Sequence, residues 1–189
     1  LNYSKYQSII LRNSGNDWLK SQIRDAAVTS LMNGAGLEYQ SHRSIASYVN
    51  GEYWGLYNMR EKVNEHFIAS KANVDPEDVD LLTNNAEIVH GTNEDYINLR
   101  NFISVNNLSN STNYEYVTTQ VDIDNFIIYN VVQIYSNNRD WPGNNIKYWK
   151  HSNGKWRWIL YDTDFSFSGE WWAWDVNVHH EINTLAFAL

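Results

Sequence analysis

A polar segment between two apolar stretches carries side chains able to do acid–base and metal chemistry. It reads Asn138-Arg139-Asp140-Trp141-Pro142-Gly143-Asn144-Asn145, with an Asn five positions after the Asp. A carboxylate held in a rigid loop can orient or deprotonate a hydroxyl group, and an amide oxygen can bind Mg²⁺. The same residue types also cap backbone groups in ordinary turns, and on this segment alone the structural interpretation is favoured.

A second acidic group follows the next apolar stretch. Residues 156–161 alternate as a strand does and lead into Asp162-Thr163-Asp164, and alternation places the two carboxylates on one face. Carboxylates this close repel each other unless a cation or a proton lies nearby. The pair therefore indicates a divalent-metal site, with a calcium-binding or purely structural acidic turn as the alternative.

The order of these parts is that of the protein kinases. In that class a catalytic loop with the pattern Asp-x-x-x-x-Asn is followed by a hairpin and then by a metal-binding Asp. The present loop holds Asp140 and Asn145, the hairpin covers 146–161, and Asp162 and Asp164 come next. The order predicts that all four side chains converge at one cleft, which gains stability by binding a divalent cation.

The remaining sequence predicts the elements that position this cleft. The signals are hydrophobic periodicity, helix caps and turn pairs. They predict a strand at 8–12, helices at 18–32, 61–70, 94–105 and 122–135, a hairpin of 44–49 and 53–59 around a type I′ turn at Asn50-Gly51, a short strand near Leu81-Leu82, and loops at 106–114 and 136–145. Segregated hairpins and helices without a linker indicate one α+β domain.

Composition excludes several functional classes. The chain has 189 residues, no cysteine and a formal net charge of -8. The lack of cysteine excludes disulfides and thiolate metal sites, and the acidic balance without a basic stripe argues against nucleic-acid binding. No apolar run reaches the ~20 residues of a membrane span, so no membrane insertion is expected. The aromatic share of 15% favours a core rich in Trp and Tyr over a sugar-binding surface.

Several stretches become distinctive when they occur together. The most specific are Asn-Gly-x-Tyr-x-Gly-x-Tyr at 50–57, and Asp-Trp-x-x-Asn-Asn at 140–145 combined with Asp-x-Asp at 162–164. They are accompanied by Leu11-Arg12-Asn13, Arg24-Asp25-Ala26-Ala27, Arg60-Glu61-Lys62, Asp124-Asn125-Phe126 and the strand 156–161. In these features, which cover most of its length, the chain resembles the CotH kinase family, the group around spore coat protein H.

The resemblance implies a fold and an activity. It implies an α+β, atypical protein-kinase-like fold with β-hairpins, in which 1–60 form a partial N-terminal lobe and 61–189 a helical catalytic lobe. It implies an ATP-dependent kinase, a transferase that moves phosphate to Ser or Thr hydroxyls of a protein substrate with Mg²⁺ or Mn²⁺. The bacterial members occur in spore coats or as exported proteins, so an exported, cell-surface or spore-coat location is expected.

The resemblance also implies roles for individual residues. Asp140 stands where the catalytic Asp belongs, Asn145 where a metal and nucleotide ligand belongs, and Asp162 or Asp164 where the metal-binding Asp belongs. Family members carry a basic stretch upstream of the Leu-Arg-Asn strand, and the sequence starts after it. We expect that stretch to supply further strands and the Lys that grips the phosphates, and we expect activity to depend on them.

Two sets of interpretations stay open. Glu61 and Lys62 can help to position the nucleotide, or they can form a solvated helix start, while Arg12 and Arg24 can clamp phosphate or form ion pairs. The alternative function is a non-catalytic pseudokinase or surface module that holds polysaccharide or a partner protein on its Trp and Tyr faces. The tail residues Trp171, Trp172 and Trp174 are candidates for such a surface.

Overall fold

The computed structural model describes residues 7–167, which form two β-sheets and five α-helices. In chain order the elements are β1 (Ile9–Arg12), α1 (Arg24–Ser30), β2 (Glu38–Tyr39), β3 (His42–Val49), β4 (Glu52–Glu61), α2 (Glu65–Ala72), β5 (Val79–Thr83), β6 (Glu87–His90), α3 (Glu94–Val105), α4 (Ser111–Gln120), α5 (Ile123–Tyr135), β7 (Lys147–His151) and β8 (Arg157–Leu160). The α+β fold class is confirmed. The tail tryptophans considered above lie outside the described residues.

The strands divide into a small sheet and a large sheet. The small sheet is antiparallel, in the order β1-β4-β3. The large sheet has the order β2-β8-β7-β5-β6 and is antiparallel except where β2 runs parallel to β8. The small sheet comes from the first 61 residues. The division into lobes at residue 60 stays a prediction, and β2 already lies in the large sheet.

The large sheet is buried on both faces. Leu82 and Trp158 face a core shared with α3, α4 and α5, whereas their neighbours Leu81 and Ile159 face a second core shared with α2. Adjacent strand residues point to opposite faces, so a sheet covered on both sides needs continuous apolar runs. Full burial of each such side chain stabilises the fold by about 1.5–3 kcal/mol, and the sheet is therefore a rigid platform for the segments at its ends.

The predicted helix 18–32 is the main departure from the expected elements. Only 24–30 are α-helical, because residues 18–22 form turns and a bend in which Gln22 has a left-handed φ of 62°. The buried Asp17 carboxylate accepts hydrogen bonds from the backbone N–H groups of Ser21 at 3.2 Å and Arg24 at 3.0 Å. This side chain satisfies donors that a continuous helix would pair internally, and it holds the chain in a turn before α1.

Two more differences have local causes. The second predicted helix begins at Glu65 rather than Glu61, because β4 continues to Glu61 and the Asn64 side chain caps the helix by accepting from Phe67 N at 3.0 Å. Helix α4 covers part of a predicted loop, and Asn110 caps it through Thr112 N at 2.9 Å. Within residues 7–167, no helix combines the length and apolar character needed to cross a bilayer.

The predicted hairpin turn is confirmed. Asn50 and Gly51 join β3 to β4 with φ values of 52° and 87°, the left-handed pair that a type I′ turn requires. Gly51→Val should lower the free energy of unfolding by about 1–3 kcal/mol, because a β-branched residue is strained at positive φ. Urea denaturation measures the loss.

Gly143→Val is the matched control. A side chain added there, as at Gly51, would meet no atom within 4 Å, but the backbone at Gly143 is not left-handed. The control should change stability by less than about 0.5 kcal/mol. Equal stability of the two variants would contradict the strain at the turn.

Candidate active site

The loop that follows α5 is held at its base by buried polar contacts. The helix is capped at its start by Asp122, which accepts from Asn125 N at 3.1 Å. After its end, Asn138 is buried and donates from Nδ2 to Gln133 Oε1 at 2.9 Å. The loop therefore leaves the catalytic-type segment 139–145 at a defined position beside the start of β7.

Asp140 and Asn145 are in direct contact. Asp140 Oδ2 accepts from Asn145 Nδ2 at 2.7 Å and from Asn144 Nδ2 at 3.2 Å. The Asn145 backbone has a φ of 58°, which Asn tolerates better than most residues. Since the amide nitrogen of Asn145 donates to Asp140, its oxygen faces away from that carboxylate and is available to a cation.

The two acidic residues after β8 have different surroundings. Asp164 is 1% exposed. Its Oδ2 accepts from Asn16 N at 2.8 Å and from Arg12 Nη2 at 2.8 Å, and its Oδ1 accepts from Asn16 Nδ2 at 3.3 Å. A Cβ at Gly15 would lie 2.0 Å from this carboxylate, so only glycine allows the approach. Asp164 thus anchors the turn that follows β1.

Asp162 is the more accessible of the two. Its side chain is 24% exposed and contacts Arg12 Nη2. Burial raises the pKa of Asp162 above its ordinary value, although the hydrogen bond and the charge of Arg12 oppose the shift. The ionised form is therefore under-compensated, and a cation beside it would stabilise it.

Tyr161 connects the acidic strand end with the loop. Burial raises the pKa of Tyr161 to about 12, with smaller contributions from the negative charges of Asp162 and Asp140, while a hydrogen bond with Thr83 opposes the shift. Both carboxylates therefore act on the same phenol. Within residues 7–167, however, no three acidic side chains lie close enough together to hold a metal ion, and the convergence of Asp140, Asn145, Asp162 and Asp164 at one cleft stays a prediction.

Arg12 supplies the counter-charge of the acidic group. Its guanidinium contacts Asp162 and Asp164, and its Nη1 lies 4.0 Å from Asp25 Oδ2. Burial opposes the charge of Arg12, but the three carboxylates outweigh it and raise the pKa of the guanidinium. The expectation that the acidic pair needs a positive partner is met by a residue of β1.

Asp25 on α1 closes the network. Its Oδ2 accepts a hydrogen bond from Arg60 Nη1 at 2.6 Å. Its Oδ1 accepts one from the Thr163 backbone N–H at 2.9 Å and one from the Thr163 hydroxyl at 3.0 Å. Thr163 stands between the two acidic residues, so this contact fixes the segment that carries them. Arg60 is 1% exposed and also donates to Gln40 O at 2.9 Å.

The site is unlike a metal cage made of protein alone. Within residues 7–167, no three His, Cys, Asp or Glu side chains are grouped so that they could hold a metal ion. Mg²⁺ in phosphoryl-transfer sites is usually held by one or two protein groups together with substrate phosphates and water. The carboxylate of Asp162 and the amide oxygen of Asn145 are oxygen donors of that kind.

Glu61 and Lys62, at the end of β4, have opposite surroundings. Glu61 is buried, and its Oε2 accepts from Ser41 N at 3.0 Å and lies 3.4 Å from Lys71 Nζ. Glu61 therefore has a structural role, because it links β4 to the residue just before β3 and to α2. Lys62 is exposed, and its ammonium shows no ion pair within the described part of the chain. Of the two, Lys62 is the one able to meet a ligand, and its role stays a prediction.

Sequence reasoning missed the buried arginine. Arg60 was considered only as part of a similarity pattern, although Asn58 and Arg60 occupy alternate positions on one face of β4. Two polar residues on the same face of a strand indicate a polar interior when a second charged element packs there. That element is the start of α1, which carries Asp25. The sequence alone does not show that it packs against this face of β4.

The small antiparallel sheet, the five-stranded sheet and the helices packed on it form an α+β fold, and the catalytic-type loop, the β7–β8 hairpin and the acidic residues follow one another along the chain. A sequence family described as CotH kinase protein matches residues 2–186. The chain belongs to this CotH kinase family, as the resemblance predicted. No curated protein matches the chain.

Asp162 and Asp164 should differ in their effects on stability. Asp164→Ala should lower the free energy of unfolding by about 2–4 kcal/mol, because it leaves Arg12 and the Asn16 N–H without a buried acceptor. Asp162→Ala, the matched variant two residues away, should change stability by less than about 1 kcal/mol. Urea denaturation without added metal measures both values.

Repulsion between the two carboxylates would by itself predict the opposite result, namely that removal of Asp164 leaves the free energy of unfolding unchanged or slightly raised. Equal losses in the two variants would show that the acidic residues share one structural role.

Proposed function

We propose that the chain is the catalytic part of an atypical protein kinase, transferring the γ-phosphate of ATP to Ser or Thr hydroxyls of a protein with Mg²⁺ or Mn²⁺. The observation that supports it most is the contact between Asp140 Oδ2 and Asn145 Nδ2 at 2.7 Å. It leaves the Asn145 oxygen for a cation and the second Asp140 oxygen for a hydroxyl group. Kinases use Asp and Asn at this spacing in the same two roles.

Asp140 would act on the acceptor. Its carboxylate accepts the proton of the substrate hydroxyl, or orients that hydroxyl toward the phosphate, while Asn144 and Asn145 hold it in place. Asp162 and the Asn145 oxygen would hold the cation, which neutralises charge on the phosphates when bound. Asp164 would hold the turn at Asn16, and through it the position of β1.

Arg12 and Asp25 correspond to a second feature of kinases. In that class a cation on a strand of the small lobe contacts the phosphates and pairs with an acid on the following helix. Arg12 lies on β1, and Asp25 Oδ2 on α1 lies 4.0 Å from its Nη1. We assign to Arg12 the phosphate contact that an upstream Lys was expected to make.

The family suggests where such a kinase works. Its association with the spore coat supports a protein substrate at the spore coat or cell surface. A net charge of -8 favours a basic or Ser- and Thr-rich acceptor segment over an acidic one.

A second candidate is a non-catalytic binding module. It is favoured by the exposed aromatic side chains near the tip of the β3–β4 hairpin, where Tyr48 and Tyr53 pack edge to face at 5.6 Å and the next residue of β4, Trp54, is also exposed. Such a cluster can hold a polysaccharide or a partner protein. Binding of this kind would not depend on Asp140 or Asp162.

Variants of the two acidic groups test the kinase proposal. ATP with Mn²⁺ should raise the melting temperature of the wild-type chain, and Asp162→Ala should abolish this rise, because a metal ligand is lost. Asp140→Asn should keep the rise and lower the rate of phosphate transfer to a Ser- and Thr-containing protein by about 10²–10⁴-fold, because its role is with the hydroxyl. Differential scanning fluorimetry and a radioactive transfer assay measure the two effects.

Asp124→Ala, which removes an acidic residue of α5 that lies away from the loop, is the control and should behave as the wild-type chain. Loss of nucleotide binding in Asp140→Asn, or its retention in Asp162→Ala, would contradict the assigned roles. If the wild-type chain shows no response to ATP and Mn²⁺ but binds a polysaccharide or a partner protein through Tyr48 and Tyr53, the binding module becomes the better account.

A further inference from the structure

Lys147 lies at the first position of β7, two residues after Asn145, and is half-buried. Its Nζ donates to Val63 O at 3.3 Å and lies 5.1 Å from the centre of the Tyr161 ring. Neither contact carries a negative charge. The Lys147 ammonium is therefore partly removed from water and has no counter-ion among the described residues. Such desolvation of an unpaired charge is unfavourable.

Two other lysines of the described residues, one buried and one partly buried, do have counter-ions. Lys150, three residues further along β7, forms an ion pair with Asp95, and Lys71 lies 3.4 Å from Glu61 Oε2. The contrast shows that the fold pairs such lysines with carboxylates where they serve structure. Lys147 is the exception on the same strand, and an unpaired, half-buried cation is a site for an anion that comes from outside.

A second cation lies beside it. Lys62 directly precedes Val63, whose carbonyl receives Lys147 Nζ, and the charge of Lys62 acts on Lys147. Like charges destabilise each other unless an anion lies between them or close by. The chain has a net charge of -8, so two neighbouring lysines form a local positive patch on a protein that is negatively charged as a whole.

The position of this lysine pair points to its ligand. The Lys147 ammonium lies over the ring of Tyr161, and Tyr161 directly precedes Asp162. The negative charge of Asp140 contributes to the raised pKa of Tyr161. The pair is thus at the border of the candidate active site, on the side where β4 leads into α2. A polyphosphate chain held by a cation at Asp162 would extend toward a positive rim of this kind.

We propose that Lys147 and Lys62 form a binding site for the polyphosphate chain of the nucleotide, with Lys147 as the principal contact. The site rests on the proposed kinase function for the identity of its ligand, and on the unpaired lysines for its existence. Its chemistry is recognition of several phosphate oxygens by two ammonium groups, with no demand on the base or the sugar. Inorganic tripolyphosphate is therefore a sufficient probe.

Calorimetric titration of the full chain with tripolyphosphate, without a divalent cation, tests the site. Lys147→Met should weaken binding by at least about tenfold and Lys62→Met by about two- to fivefold, in keeping with the loss of charge-assisted contacts. Lys147→Arg should retain most of the affinity. Lys155→Met, at the exposed far end of the β7–β8 hairpin, is the matched control and should change affinity by less than about twofold.

The outcomes separate this inference from the proposed function. Equal tripolyphosphate affinity of wild type, Lys147→Met and Lys62→Met would overturn the lysine site, even where ATP and Mn²⁺ still stabilise the chain through Asp162. Binding that needs Lys147, in a chain that shows no response to ATP and Mn²⁺, would support the anion site and remove its assignment to a kinase nucleotide. If Lys147→Met does not fold, Lys62→Met at the exposed position decides.

Discussion

The contact of Arg12 with Asp162 and Asp164 is the interaction on which the site depends. It joins β1 of the small sheet to the end of β8 in the large sheet, across 150 and 152 positions of sequence. Asp25 adds a second crossing, from α1 to the Thr163 backbone at 2.9 Å. Charges in such surroundings persist only when they are paired and hydrogen-bonded, so each partner constrains the position of the others.

The same junction separates the duties of the acidic residues. Asp164 is fully enclosed and holds the turn at Asn16, while Asp162 stays partly exposed with a raised pKa. One carboxylate is therefore structural, and the other has an ionised form that a cation would stabilise. Arg12 contacts both of them and supplies the positive charge that balances the pair.

Much of this fold could be predicted from local patterns. Helix α3 has its predicted bounds, α5 begins one residue after its capping Asp122, and Asn50-Gly51 forms the expected turn. Those features depend on periodicity and backbone conformation, which a short window of sequence contains. The shortening of α1 does not, because it follows from where the Asp17 side chain finds its donors.

The candidate site shows the same limit. The residue types and the order of Asp140, Asn145 and the acidic strand end could be predicted from spacing. The unequal roles of the acidic pair could not, since alternation stops at Asp162, where φ is 54°. An ion pair of Arg12 is one of the two interpretations that the sequence leaves open, and it is confirmed. Its partners and the unpaired Lys147 could not be predicted, because both depend on contacts between distant segments and not on a local pattern.

A double-mutant cycle between Arg12 and Asp164 tests most directly whether this junction holds the two sheets together. The free energy of unfolding is measured by urea denaturation for wild type, Arg12→Gln, Asp164→Asn and the double variant. The account predicts a coupling energy of at least about 1.5 kcal/mol, as found for residues that share one network. Losses that add to within about 0.5 kcal/mol would show that the contact does not join the sheets, and would contradict the account.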